Sequence, residues 1–264
     1  MALEKPLVPT FSLSERDRRW SALRVVMKQA NFDALIALPH EGHWDQFGCD
    51  TRYITQIGGT QTEVGCVLPL EGDVTAVVRG ANEIEWWGLA QDWVKDIRPS
   101  RRSYGEPVIE RLKELRSTRV GVIALSGMVR APEGVVPWGT FEKIRQALPA
   151  VKFDNATPVM QEVRAVKSAE EIAFIEKAAG IIGKAIDVLI AQAKVGVGEN
   201  ELIGEMLRGA DGAAVSTVTV SEVEAALMLP AASEAVAARI WLPSVNVPVV
   251  KVHAPPASAV TVPI

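Results

Sequence analysis

The chain has 264 residues, about one and three-quarter typical domains, and with 48% hydrophobic and 23% charged residues it can bury enough apolar surface to exclude global disorder. Its net charge of −4 comes without a basic stripe, which argues against nucleic acid, and two cysteines make no disulfide framework. The N-terminal MALEKPLVPTFSLSERDRRW lacks the apolar run of a signal peptide and no stretch approaches a membrane span, so a cytoplasmic protein with two reduced thiols is expected.

Ser12 and Glu15 form a capping-box pair, and Trp20, Leu23, Val26 and Met27 recur at helical spacing, predicting a first helix over about 14–30. DALIALP is an apolar run of strand length, and RYITQIGG reads as a strand ending in a glycine turn. Val64 to Leu70 and Val74 to Val78 read as a hairpin across Glu71-Gly72-Asp73. ANEIEWWGLAQDW is helix-like with Ile84, Trp87 and Leu89 inward, and VKDIRP fits a short strand. PVIERLKELR is an amphipathic helix with Pro107 in its first turn, followed by the buried-strand pattern RVGVIAL, the helix GTFEKIRQALP and the strand VKFDNAT. Helices alternating with short strands predict an α/β fold, a mixed sheet flanked by helices.

Ser168 and Glu171 form a second capping box, and Ile172, Ile175, Ala179, Ile182, Ile186, Leu189 and Ala193 mark one face of a long helix. Glu170, Glu171 and Glu176 near its start read as a solvated face that complements the helix dipole. Gly198-Glu199-Asn200-Glu201 opens a shorter helix carrying Leu202, Ile203, Met206 and Leu207. The expected domains are 1–157, 158–212 and a divergent tail over 213–264, where Ala and Val supply nearly half the residues and Gly and Asp are absent. VEAALMLPAASEAVAARI in that tail reads as one or two helices broken at Pro230.

The chemical motifs are sparse. Gly196-Val197-Gly198 follows a helix and lacks the third glycine of a dinucleotide loop, so it reads as a helix-to-helix turn. His40, His43, Cys49 and Cys66 are metal-capable, but their spacing fits no compact zinc template. Ser126 beside Gly127 lacks the frame of a nucleophile elbow and reads as a turn serine. Trp44 sits in the polar, turn-rich HEGHWDQFGCD between strand patterns, where function commonly resides.

Arg164-Ala165-Val166-Lys167-Ser168-Ala169-Glu170-Glu171-Ile172, followed by KVGVGENELIGEML, resembles the opening of the catalytic domain in the Xaa-Pro peptidase, prolidase and creatinase family of pita-bread metallohydrolases. DTRYITQIGG and the residues around it are similar to that family's N-terminal domain. The resemblance implies a creatinase/prolidase-like N-terminal α/β domain followed by the opening helices of an incomplete pita-bread α+β domain. It implies a homodimer formed through the N-terminal domain, and His43, Trp44 and Tyr53 as substrate contacts. In complete members it implies peptide or small-amide hydrolysis by a water bridging two divalent ions (Mn, Co or Zn), held by two Asp, one His and two Glu.

Past Asp211 no Asp occurs, and Glu222, Glu224, Glu234 and His253 are the only acidic or imidazole groups left. No cofactor is therefore expected for this chain. A family member truncated or altered so that its metal site is missing, and inactive alone, is the leading expectation. A non-catalytic dimerisation or substrate-gating module and a metal-independent, creatinase-like hydrolase are the alternatives.

Overall fold

The computed structural model describes residues 10–39, 48–58, 63–127 and 132–209, with two short strands at 228–229 and 233–234. The chain divides into two compact units, residues 1–172 and 173–264.

The first unit is built on a six-stranded mixed sheet. In chain order its elements are α1 (Leu13–Gln29), β1 (Ala34–Ala37), α2 (Cys49–Thr55), β2 (Gly65–Pro69), β3 (Thr75–Val78), α3 (Ala81–Ala90), β4 (Asp96–Pro99), α4 (Gly105–Glu114), β5 (Arg119–Val122), α5 (Trp138–Ala147), β6 (Lys152–Asn155) and α6 (Thr157–Ala165). The strand order is β4-β3-β2-β1-β5-β6. β2 pairs antiparallel with β1 and β3, whereas β3 with β4, β1 with β5 and β5 with β6 run parallel, so β2 alone opposes the common direction.

β1 and β2 are buried along their whole length, which explains their continuous apolar runs: helices cover both faces. Leu35, Ala37, Cys66 and Leu68 join Trp20, Leu23, Met27, Ile54, Trp93 and Met160 on one face, under α1, α2, α3 and α6. Ala34, Ile36, Val67, Val120 and Val122 join Val108, Leu112, Phe141 and Ile144 on the other, under α4 and α5.

The hairpin, the α/β class and the mixed sheet agree with expectation, but three local readings are corrected. DTRYITQIGG is not a strand: residues 49–55 form α2. Asp50, Thr51, Tyr53, Ile54, Thr55 and Ile57 are buried, including consecutive residues that a half-exposed strand would send to opposite faces, and the Thr55 hydroxyl donates to the Thr51 carbonyl at 2.8 Å inside the turn. Gln56 then takes a left-handed φ of 58° and Gly58 a φ of 127°, which ends the helix where glycine is needed. Leu89, expected inward, is 49% exposed, because Trp87 and Ala90 set the buried side of α3. Either side of Pro230, Met228–Leu229 pairs antiparallel with Ser233–Glu234 (β7 and β8) in place of the expected helix.

The long helix α7 (Ala169–Gln192) leaves the first unit at its first turn and continues into the second, which also holds α8 (Glu199–Gly209). Between them Gly196 takes a φ of 94°, and the segment is the helix-to-helix turn expected. Among the described residues no helix is long and apolar enough to cross a membrane.

Candidate functional site

Two of the stretches that carry the family resemblance, 50–58 and 164–172, meet at the N-terminal half of α1 and form one polar cluster. Helical spacing places Glu15, Arg18 and Arg19 on neighbouring positions of α1, and each arginine reaches Glu15: Arg18 Nε at 2.7 Å, its Nη2 at 2.8 Å and Arg19 Nε at 2.7 Å. Glu171, from the first turn of α7, bridges both, with Arg18 Nη2 at 2.9 Å and Arg19 Nη2 at 3.2 Å.

Arg19 is sealed in. Its side chain is 3% exposed, donates to the Tyr53 carbonyl at 3.2 Å, and lies with its guanidinium carbon 4.2 Å from the Tyr53 ring centre, 4.4 Å from that of Phe11 and 5.3 Å from that of Trp93. Burial alone would push the Glu15 carboxyl up, but the hydrogen bonds from Arg18 and Arg19 outweigh it and hold the group down at about 2.

Of the 164–172 stretch, Arg164, Lys167, Ser168, Glu170 and Glu171 each make a side-chain contact. Burial works against the Arg164 charge, and Asp50 of α2, accepting from Arg164 Nη1 at 2.6 Å, together with Cys49 more than offsets it. The Lys167 ammonium donates to the Arg164 carbonyl. Ser168 and Glu171 form a reciprocal capping box, each backbone N–H donating to the other's side chain at 3.0 Å. Glu170 accepts from the Ser12 N–H and the Ser12 hydroxyl, both at 2.7 Å. The solvated face expected for Glu170, Glu171 and Glu176 holds at Glu176, which is exposed, and is corrected at Glu171, which is buried because two arginines 153 and 152 residues earlier in the chain turn toward it.

Of the residues expected to touch substrate, Tyr53 is buried on α2 under Arg19, its hydroxyl 3.5 Å from Arg18 Nη2 and pushed up from its usual pKa by burial. His43 and Trp44 lie outside the described residues, as does His40. Cys49 is half-buried and Cys66 buried, both free, and burial raises both thiols, Cys66 to about 12. Ser126 is a turn residue: its N–H donates to Thr157 Oγ1 at 3.2 Å, and its hydroxyl oxygen accepts from Asn155 at 2.8 Å.

Sequence reading passed over Arg18 and Arg19, although their i+3 and i+4 spacing from Glu15 was a usable signal. A pair of divalent cations does not fit this cluster. Its two buried carboxylates are already neutralised by two guanidinium groups, and among the described residues no three His, Cys, Asp or Glu side chains gather so as to hold a metal ion.

A family model for the creatinase/prolidase N-terminal domain matches residues 19–166. An Xaa-Pro dipeptidase of Pyrococcus horikoshii is 29% identical over 107 residues, which make up 39% of this chain and 30% of that protein. Among solved structures, an Xaa-Pro dipeptidase from Bacillus anthracis has a TM-score of 0.56 at 15% identity, covering 77% of this chain and 51% of that one. The prolidase of Pyrococcus horikoshii has a TM-score of 0.54 at 16% identity, covering 84% of this chain and 60% of that one. Both structural likenesses are of fold, and the chain spans less than two thirds of each of these relatives.

Proposed function

Since the chain belongs to the creatinase/prolidase N-terminal domain family, we propose that it serves as the N-terminal module of an Xaa-Pro peptidase and that these 264 residues carry no dinuclear hydrolytic centre. One observation carries this reading: of the residues that match the family opening, Arg164, Glu170 and Glu171 are engaged in pairing with Asp50, Ser12, Arg18 and Arg19, which is a structural use of them. The sequence past Asp211 supports it, because Glu222, Glu224, Glu234 and His253 do not make up the two Asp, one His and two Glu of the family centre. The test is incubation of the purified chain with an Xaa-Pro dipeptide and with a longer Xaa-Pro peptide, each with Mn(II), Co(II) or Zn(II). No release of proline or of the N-terminal residue above a metal-only control is expected; release abolished by a chelator overturns the proposal. Creatine as substrate, without added metal, tests the creatinase-like alternative in the same assay.

Within this role the module dimerises and presents the segment bearing His43 and Trp44 to a peptide substrate, with Tyr53 in the helix that follows. The polar composition of HEGHWDQFG, which precedes α2 in the sequence, supports the reading. Light scattering should give twice the chain mass; a monomer at tens of micromolar refutes the dimer. His43→Ala and Trp44→Ala should change the kinetics of mixed oligomers with a full-length relative, and unchanged kinetics refute the gating role. A cytoplasmic location is part of the proposal, supported by the two free cysteines.

A further inference from the structure

Ser12 and Glu15 have the spacing of a capping box, yet only half of one forms. The Glu15 N–H donates to Ser12 Oγ at 3.2 Å, but the Glu15 carboxylate, which would return to the Ser12 N–H, is held by Arg18 and Arg19. Glu170 fills the vacated role from the first turn of α7, accepting from the Ser12 N–H. The Ser12 hydroxyl has a single proton, which it donates to Glu170, so Ser14 donates to Ser12 in turn. Glu171, the next residue, closes its own capping box with Ser168 and reaches the same two arginines that hold Glu15.

We propose that Glu170 and Glu171 form a latch that caps α1 from the first turn of α7, so that the two helix ends open and close as one unit. Arg19, fixed among three aromatic rings, is the stationary part, and the two glutamates are the part that leaves. The inference goes beyond the proposed peptidase role and does not depend on it.

Hydrogen exchange on the full chain at neutral pH tests the coupling. Glu170→Ala removes a half-buried side chain that touches neither the Glu15 nor the Arg16 amide, yet the latch predicts that both amides exchange about five- to tenfold faster, the size of a lost N-cap. Reciprocally, Ser12→Ala should speed exchange at the Glu171 and Ile172 amides, which are bonded to the Ser168 side chain and carbonyl. The Ile123 amide, bonded to Ile36 inside the sheet, should keep its rate in both variants. Wild-type rates at Glu15 and Arg16 in the first variant, or at Glu171 and Ile172 in the second, overturn the latch. A uniform rise that includes Ile123 overturns it too, since that is global loosening.

Discussion

Replacing Arg19 with leucine isolates the energetic logic of the cluster. The substitution keeps an apolar stem among Phe11, Tyr53 and Trp93 but removes the guanidinium that donates to Glu15 and pairs with Glu171, whose side chains are 3% and 9% exposed. Two buried carboxylates are then left with Arg18 alone, and removing one member of a buried charge cluster costs about 3–5 kcal/mol. Urea unfolding at pH 7, followed through the buried Trp20 and Trp93, measures it. The pH dependence supplies the sign. Glu15 falls from 4.5 to about 2 on folding, so it stabilises the fold above pH 4.5, by about 3 kcal/mol at most, and that contribution fades as pH falls from 4.5 toward 2. The leucine variant lacks most of it, so its deficit should be largest at pH 7 and shrink markedly by pH 3. A deficit below about 1 kcal/mol, or one of equal size at both pH values, refutes the reasoning.

A Cβ at Gly121 on β5 would sit 2.5 Å from Leu35 Cδ2 and 2.7 Å from Ala156 Cβ, so Gly121→Ala should destabilise by about 1–3 kcal/mol in the same unfolding assay; a neutral result would mean that the sheet shifts freely there. Ser168→Ala should cost about 1 kcal/mol and Ser168→Thr should recover most of it, because a hydroxyl caps the Glu171 N–H and hydrogen-bonds the Glu15 carboxylate; equal loss in both points to packing instead. A thiol reagent at pH 8 should label Cys49 first and Cys66 only on unfolding, since Cys66 is fully buried and its thiol is pushed up to about 12; equal labelling rates in the native chain contradict this.

Wherever one segment's own pattern settles its state, the sequence was a sound guide. The β2–β3 hairpin, the apolar β1 and β5 and the Ser168–Glu171 capping box all depend on neighbours within a few residues or on burial of both faces. The α2 segment shows where that guide fails. Thr, Tyr and Ile in DTRYITQIGG favour a strand by propensity, yet Asp50 is claimed by Arg164 and Tyr53 by Arg19, partners 114 and 34 residues away, and the helix is the conformation that turns both inward. Glu171 fails the same way: at a helix start a glutamate is ordinarily solvated, and nothing near it in sequence announces Arg18 and Arg19. The family resemblance fared better than residue-level chemistry because its motif collects those distant demands into one short stretch.

Burying two carboxylates and two guanidinium groups at one spot is a weak route to stability, since a well-packed apolar core of the same volume often does as well or better. What charges provide that leucines do not is register. Each carboxylate oxygen of Glu171 meets a different guanidinium, Oε2 that of Arg18 and Oε1 that of Arg19, so the two arginines hold the first turn of α7 in one register, whereas an apolar contact would tolerate a slide along the helix. The same neutrality explains why the cluster offers nothing to a cation. A metal would have to displace a guanidinium from Glu15 or Glu171 and leave that guanidinium buried without a counter-ion, a loss that the remaining ligands could not offset. A hydrolytic centre and this cluster therefore cannot share these carboxylates, and the chemistry of a complete peptidase must come from residues other than those that tie α7 to α1.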